Sequence, residues 1–189
     1  MIRQTIFCRF CEMPANFARN RAGLAAIEFA IILPFMVLIY LGSFEITQAV
    51  SVQRLVTLTA STAANVVTQY ASISQSAVLS DIFNASTTVL TPYPANKATV
   101  ILSDITIDGG KNATIKWSRS SAPGGTGHVV GSAVTLPAAL LVPNTEVVWG
   151  ETTYRYTPTV DFLHIGTLNL YSTVYMLPRS SSGQINLVP

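Results

Sequence analysis

Residues 24–41 read Leu-Ala-Ala-Ile-Glu-Phe-Ala-Ile-Ile-Leu-Pro-Phe-Met-Val-Leu-Ile-Tyr-Leu, and this stretch decides the architecture. As a helix it would be about 27 Å long at 1.5 Å per residue, close to the roughly 30 Å hydrocarbon core of a bilayer. The stretch therefore predicts a membrane-spanning helix. Two residues depart from its apolar pattern. Glu28 introduces an ionisable group that needs a partner in lipid, and Pro34 removes one backbone hydrogen bond and predicts a kink.

The charges are distributed unevenly around this stretch. Only 11% of the 189 residues are charged, which is less than half of the roughly 25% usual in soluble domains. Residues 1–23 contain four arginines and one glutamate, a net charge of +3, whereas residues 24–189 have a net charge of −1. A basic flank is typical of the cytoplasmic side of a membrane helix, so we expect a cytoplasmic N-terminus and an external C-terminal part. The near-neutral body lacks the basic patch of a nucleic-acid-binding domain, and we expect no nucleic-acid partner.

Two simpler interpretations compete with a specialised membrane helix. A cleaved secretory signal has an apolar region of about 7–15 residues that ends at a small-x-small cleavage site. Here the apolar run is longer, and the residues that follow it, Gly42-Ser43-Phe44-Glu45, form a poor site. The other interpretation is an ordinary single-pass anchor in which Glu28 is incidental.

Gly23 immediately precedes the apolar run. A cut after Gly23 would create a new α-amine on Leu24, four residues before Glu28 and near the same helix end. On neighbouring subunits the amine and the carboxylate could then neutralise each other. Such a cut would give the charge of Glu28 the partner that it needs.

The segment that surrounds these residues resembles the N-terminus of TadE-like proteins, which are minor pseudopilins of the tight-adherence (Tad/Flp) pilus assembly system. The resemblance rests on Arg19-Asn20-Arg21-Ala22-Gly23-Leu24-Ala25-Ala26-Ile27-Glu28-Phe29-Ala30, followed by Leu33-Pro34 and Gly42-Ser43-Phe44-Glu45. In that family a prepilin peptidase cuts after the glycine, and the glutamate with the aromatic residue after it belongs to the recognition motif. The resemblance implies a processing site at Gly23 and Leu24 and a recognition and assembly role for Glu28 and Phe29.

The resemblance also implies an organisation, a location and partners. Residues 1–23 would be a basic cytoplasmic leader that is removed, residues 24–43 a transmembrane helix, and residues 44–189 an extracytoplasmic pilin-like domain. The protein would lie in a bacterial inner membrane with this domain in the periplasm, or in the pilus itself. Its partners would be the prepilin peptidase, other pilin or pseudopilin subunits, the pilus assembly machinery and membrane lipid.

The rest of the chain predicts an α+β fold with a pilin-like outline. A helix is expected from Gly42 to about Tyr70, because apolar residues recur there at spacings of three and four. A second helix is expected at 72–84, where Ser72 and Gln75 have capping-box spacing. Strands are expected at 97–107 and 112–118, joined by an Asp108-Gly109-Gly110 turn, and at 147–157 and 168–176. One long helix would thus pack on about four antiparallel strands.

Residues that suggest catalysis or metal binding do not form a recognisable site. Cys8 and Cys11 supply only two ligands, and we interpret them as incidental thiols of the leader. The loop of residues 124–127 lacks the Lys-Ser/Thr ending of a phosphate-binding motif. His128 and His164 are interpreted as ordinary satisfied histidines, and Asp104 and Asp108 as residues of a solvated turn. We therefore expect a protein that is not an enzyme and holds no cofactor and no metal.

A functional alternative from another class stays open. The chain could be an uncleaved, single-pass, membrane-anchored periplasmic binding module whose α+β domain recognises a partner. Tyr154 and Tyr156, neighbours on one strand face, are the natural contact residues in that case, with core packing as their other possible use.

Overall fold

A computed structural model describes residues 21–74, 77–158, 166–180 and 183–188. The leader with Cys8 and Cys11 lies outside these ranges, apart from its last residues, and so do Gln75 and His164. The chain divides into two compact units, one ending at Glu45 and the other beginning at Ile46.

The longest element is helix α1, Arg21–Val67, with 47 residues. A helix of that length extends about 70 Å. Pro34 lies within this helix, and the helix continues on both sides of it. The predicted helix that continues from Gly42 to about Tyr70 is confirmed, although it ends three residues earlier than expected.

The main sheet has four antiparallel strands in the order β3-β2-β4-β5. Its strands are β2 (Ala98–Ile107), β3 (Ala113–Ser120), β4 (Thr145–Tyr156) and β5 (Leu168–Met176). One long apolar helix with a four-stranded antiparallel sheet is an α+β arrangement, so the predicted fold class is confirmed.

The predicted turn between β2 and β3 is organised by the side chain of Asp108. Its carboxylate accepts hydrogen bonds from the Asn112 backbone nitrogen at 2.7 Å and from the Asn112 side-chain amide at 2.8 Å. These bonds stabilise the charged form and lower the pKa of the exposed Asp108 carboxyl. The charge of Asp108 therefore stabilises the turn through its hydrogen bonds to Asn112.

A small second sheet changes the interpretation of residues 72–84. Strand β1 (Ser72–Ser74) pairs in parallel with β6 (Asn186–Val188), and the Asn186 backbone nitrogen donates to the Ala71 carbonyl at 3.0 Å. Helix α2 begins only at Val78 and ends at Thr88. The prediction of one helix from Ser72 to Asn84 was therefore wrong at its start, because the first residues pair with a distant strand instead.

A β-bulge interrupts the pairing of β2 with β3. Asp104 lies opposite Trp117 and Ile105 opposite Ile115, so Lys116 is an extra residue on β3. A bulge bends its strand and redirects a side chain. Lys116 accordingly comes close to Asp104, as described below.

The core lies between the second part of α1, helix α2 and one face of the sheet. Three alanines and a valine of α1 are fully buried there (Ala60, Ala63, Ala64 and Val67). Ala63, Ala64 and Val67 form part of a cluster with sheet residues such as Val100, Leu102 and Val148 and with α2 residues such as Leu79 and Phe83. The predicted apolar stripe on α1 is thus a core face, except at Tyr70, which lies past the helix end and is exposed.

Tyr154 and Tyr156 belong to a second buried cluster. They are 2% and 5% exposed and share that cluster with Val52, Val56 and Leu90. Burial raises the pKa of the Tyr154 hydroxyl. Of the two uses that the sequence left open for this pair, core packing is therefore the one that the structure shows, and partner contact is not.

The opposite face of the sheet is covered in part by the chain between β3 and β4. Ile105, Ile107 and Val147 of the sheet form a third buried cluster with Leu136 from that connection. The connection also pairs with the outer edge of β3, where the Ile115 backbone nitrogen donates to the Ser132 carbonyl at 3.1 Å and the Gly131 nitrogen donates to the Ile115 carbonyl at 2.8 Å. One edge of the sheet is thereby protected.

Candidate functional site

The residues of the predicted processing and assembly site all lie near the start of α1. Gly23, Leu24, Glu28, Phe29 and Pro34 are exposed, as is every other residue from 23 to 40. The Leu24 and Phe29 side chains are 61% and 59% exposed. No described residue of this unit, from Arg21 to Glu45, covers the segment.

Helical spacing brings Leu24 and Glu28 to the same face. The two residues are four positions apart, so they are neighbours one turn apart, about 6 Å along the axis. Phe29 follows Glu28 on the adjoining face. The structure thus groups the start of the apolar segment, its carboxylate and the next aromatic side chain within little more than one helical turn.

Gly23 makes no close approach that would require a glycine. A Cβ atom placed on it would meet nothing within 4 Å, and its φ is not in the left-handed region. No contact among the described residues therefore explains why this position is a glycine.

The segment has the character of a membrane-crossing helix. Its mean hydropathy reaches 2.4 over a window in which no residue is buried, and the helix is long and apolar enough to cross a membrane. A helix that is apolar and uncovered over this length is typical of a membrane span. The predicted membrane anchor is consistent with this surface.

A separate cluster of charged groups lies inside the α+β unit. Lys116 places its Nζ 2.7 Å from Glu146 Oε1 and 3.8 Å from Asp104 Oδ2. The carboxyl side chains of Asp104 and Glu146 are 0% and 5% exposed, and that of Lys116 is 29% exposed. Three ionisable groups from β2, β3 and β4 thus meet at the bulge.

The same cluster holds the segment that leads into β6. Glu146 Oε2 accepts from the Ile185 backbone nitrogen at 2.9 Å. The Ile185 carbonyl accepts from Lys116 Nζ at 3.1 Å and from Trp117 Nε1 at 3.3 Å. Both backbone groups of Ile185, whose side chain is fully buried, are therefore satisfied by this cluster.

Asp104 is the unusual member of the cluster. Neither of its carboxylate oxygens has a hydrogen-bond partner within 3.5 Å among the described residues, although weaker hydrogen-bonding interactions with the Glu146 and Trp117 side chains contribute to its pKa. Burial, reinforced by the nearby negative charge of Glu146, raises the pKa of Asp104 to about 8, although the Lys116 ammonium opposes the shift. The interpretation of Asp104 and Asp108 as a solvated turn therefore holds for Asp108 and was wrong for Asp104.

A second polar network surrounds Glu151 on the other face of the sheet. The Glu151 carboxylate contacts the His128 ring nitrogen Nε2 and accepts from the Tyr171 hydroxyl at 2.6 Å. The His128 ring stacks on Trp149 with centroids 4.5 Å apart. Desolvation and the hydrogen bond to Glu151 raise the pKa of Tyr171 to about 12. The interpretation of His128 as a satisfied histidine is confirmed.

Sequence reasoning missed the Asp104–Lys116–Glu146 cluster because its members are far apart in the chain. The one local signal was the position of Asp104, a carboxylate in the middle of the β-branched run of β2. Within the ranges that the structure describes, no three His, Cys, Asp or Glu side chains come together as a metal site.

The comparisons with known proteins return one family. Residues 23–65 match the family model described as TadE-like protein. No curated protein and no solved structure matches the chain. The matched segment begins at Gly23 and contains Glu28, Phe29 and Pro34, which are residues on which the resemblance rested, and over this segment the chain is similar to TadE-like proteins.

Proposed function

We propose that the protein is a minor pseudopilin that takes part in assembly of a Tad/Flp-type adhesive pilus and that a prepilin peptidase cuts it after Gly23. The observation that carries the proposal is the group Gly23, Glu28 and Phe29 at the exposed start of an apolar helix. In this proposal residues 1–23 are a cytoplasmic leader, residues 24–43 span the inner membrane, and residues 44–189 form the periplasmic domain.

The environment of Gly23 supports recognition from outside the chain. Because a Cβ atom on Gly23 would touch nothing nearby, packing within the described unit does not demand the glycine. A peptidase that draws the backbone into a narrow active site would demand it, since a residue without Cβ permits the closest approach. A bulky residue at position 23 should then block the cut without disturbing the helix.

The position of Glu28 supports a role in assembly. After the cut, the α-amine of Leu24 and the carboxylate of Glu28 lie one helical turn apart on each subunit. Opposite charges attract far more strongly in a low-dielectric medium than in water. An axial step of about one turn between neighbouring subunits would bring the carboxylate of one to the amine of the other, and this pairing would fix their register.

The experiment that tests the proposal is N-terminal sequencing of the chain purified from membranes of cells with and without the peptidase. We expect the chain to begin at Leu24 only where the peptidase is present. Gly23→Ile should leave the leader attached, whereas Ala26→Ile, which adds three carbons instead of four on the same exposed helix, should be processed normally. A wild-type chain that keeps its arginine-rich leader in peptidase-competent cells would overturn the processing step.

An uncut leader in peptidase-competent cells would favour the alternative function, an uncleaved membrane-anchored binding module. Its proposed contact residues Tyr154 and Tyr156 are buried, so no exposed aromatic pair on β4 supports it. The pseudopilin therefore remains the function that the residues favour.

A further inference from the structure

The Asp104–Lys116–Glu146 cluster has the composition of a reactive site as well as that of an ion pair. A buried carboxyl group, an amine and a second carboxylate meet where water is largely excluded, and Asp104 lacks a hydrogen-bond partner among the described residues. Buried polar groups are almost always hydrogen-bonded, so an orphan carboxyl group in a core requires an explanation. The ion pair of Lys116 with Asp104 is long, at 3.8 Å, and the short hydrogen bond of Lys116 goes to Glu146 instead.

We propose that Lys116 and Asp104 condense to an amide, an intramolecular cross-link between β3 and β2, and that Glu146 transfers the protons. The bulge is what makes this possible, because it brings the Lys116 Nζ to 3.8 Å from Asp104 Oδ2. Reacting atoms held about 3–3.5 Å apart gain a large rate advantage over free reactants. The nitrogen would attack Cγ, the carbon that carries Oδ2, so the lysine side chain must move towards that carbon before the bond can form.

The protonation states favour the reaction. Burial disfavours the charged form of the Asp104 carboxyl group. A protonated Asp104 is an electrophile with a hydroxyl that can leave, whereas a carboxylate is not. Glu146, with its Oε1 2.7 Å from the Lys116 Nζ, is placed to accept the proton that must leave the ammonium before nitrogen can attack.

The atoms balance without an added reagent. Lys116 begins as an ammonium, Glu146 as a carboxylate and Asp104 as a carboxylic acid. The Lys116 Nζ passes one proton to Glu146, and its lone pair forms a bond to the Asp104 Cγ. The bond from Cγ to the hydroxyl oxygen then breaks, and the hydroxyl leaves as water with a second Nζ proton. The product is a neutral secondary amide, one water and a protonated Glu146, and nothing is oxidised or reduced.

The cross-link removes the electrostatic difficulty of the cluster. The Lys116 ammonium, the Glu146 carboxylate and the buried Asp104 acid are replaced by a neutral amide and a single carboxyl group. A buried charge is costly unless it is paired and hydrogen-bonded. The amide would also fix the β2–β3 hairpin beside Ile185, whose backbone groups are bonded to the same residues.

The test is peptide mapping of the full chain after denaturation and trypsin digestion. A cross-linked Lys116 resists trypsin, so we expect residues 98–111 joined to residues 112–119 in one product. Sequential degradation of that product should release Ala98 and Asn112 together in the first cycle. A linear peptide of residues 98–119 has the same mass but releases Ala98 alone, and it would overturn the proposal, as would normal cleavage after Lys116.

Two other results would also count against the cross-link. The first is a loss of one water by formation of a cyclic imide at Asp108-Gly109. That change would be found within residues 98–111 alone, and trypsin would still cleave after Lys116. An amide to Glu146 instead of Asp104 would appear in the fragment masses and would overturn the assigned roles. The mapped region is remote from Gly23, so the result does not depend on whether the leader is removed.

Single substitutions test the roles proposed for Lys116 and Glu146. Lys116→Arg should abolish the joined product, whereas Lys111→Arg, the matched change at the exposed end of the same hairpin, should leave it intact. Glu146→Gln keeps both reacting groups and should reduce cross-linking at least tenfold, and undiminished cross-linking would overturn its proton-transfer role. Near-ultraviolet circular dichroism identifies variants that do not fold, and the wild-type result stands without them.

Discussion

Gly150 of β4 lies so close beneath α1 that a Cβ atom on it would be 3.0 Å from the Ala64 Cβ and 3.0 Å from the Ala60 carbonyl oxygen. The helix presents alanine at positions 60, 63 and 64, and all three are fully buried. Small residues on both elements therefore set the distance between the helix and the sheet. Because one of the two close atoms is helix backbone, rotation of a side chain cannot relieve a clash there.

Gly150→Ala should accordingly destabilise the α+β unit. Over-packing of a close contact costs about 1–3 kcal/mol, and we expect a decrease of that size in the free energy of unfolding of the full chain in detergent, measured by urea titration. Gly109→Ala is the matched control, since its added Cβ would make an ordinary 3.7 Å contact in the exposed turn. Equal stability of the two variants would show that the helix moves freely over the sheet.

The strands of the main sheet could be predicted because their local pattern agrees with their final environment. Strand β2 is rich in β-branched residues and is followed by an Asp-Gly-Gly turn, and β5 alternates faces from Leu168 to Met176 as expected. In both, short-range preference and long-range packing favour the same conformation. These strands lie within one or two residues of their predicted bounds.

The small sheet could not be predicted in this way. Ser72–Ser74 is too short to show a period, and its pairing partner, Asn186–Val188, lies at the other end of the sequence. The capping pattern at Ser72 favours a helix locally, and pairing with a distant strand overrides it. The misplaced start of α2 follows directly from this competition.

The bulge explains why the buried charge cluster was missed. In a regular strand Ala113 and Trp117 would share a face. Here Ala113 packs with Ile105, whereas Trp117 packs with Leu102 on the opposite face of the sheet. Counting along the sequence cannot show this change of face, and so it could not bring Lys116 together with Asp104.

Asp104 should make stability depend on pH when it remains a free acid. The Lys116→Arg variant keeps the cation and cannot form an amide with Asp104. The folded state holds the Asp104 proton up to about pH 8, whereas an unfolded aspartate releases it near pH 4. Between these values the folded state binds more protons, so the free energy of unfolding should fall as pH rises, by at most about 1.4 kcal/mol per pH unit.

Urea titrations of Lys116→Arg at several pH values measure that slope. Adding Asp104→Asn in the same background should flatten it, because the titrating group is gone. A slope that survives in the double variant would assign the pH dependence to another group.

The Tyr171 hydroxyl should ionise at a higher pH than that of an ordinary tyrosine. Its hydroxyl donates to the Glu151 carboxylate at 2.6 Å, and its pKa is raised to about 12. The stabilisation that accompanies this shift is complete below about pH 10 and is lost as pH rises towards 12. Difference absorbance during an alkaline titration should therefore show a component at high pH that is lost in Tyr171→Phe, whereas the contribution of Tyr154, whose pKa burial also raises, should remain.

Glu151→Gln supplies the control for that titration. It retains an acceptor for the hydroxyl but removes the negative charge, so Tyr171 should ionise at lower pH than in the wild type. An unchanged titration would mean that burial alone sets the shift.

Glu28 should act only together with the amine that processing creates. Glu28→Gln removes the charge and keeps the size, and Gly23→Ile prevents the new amine from forming. If the two groups pair between neighbouring subunits, either change alone should sharply reduce the recovery of chemically cross-linked subunits from membranes. The double variant should then be no worse than the more defective single variant, because both changes remove the same interaction. Defects that multiply in the double variant would show that Glu28 serves assembly by a route independent of the amine.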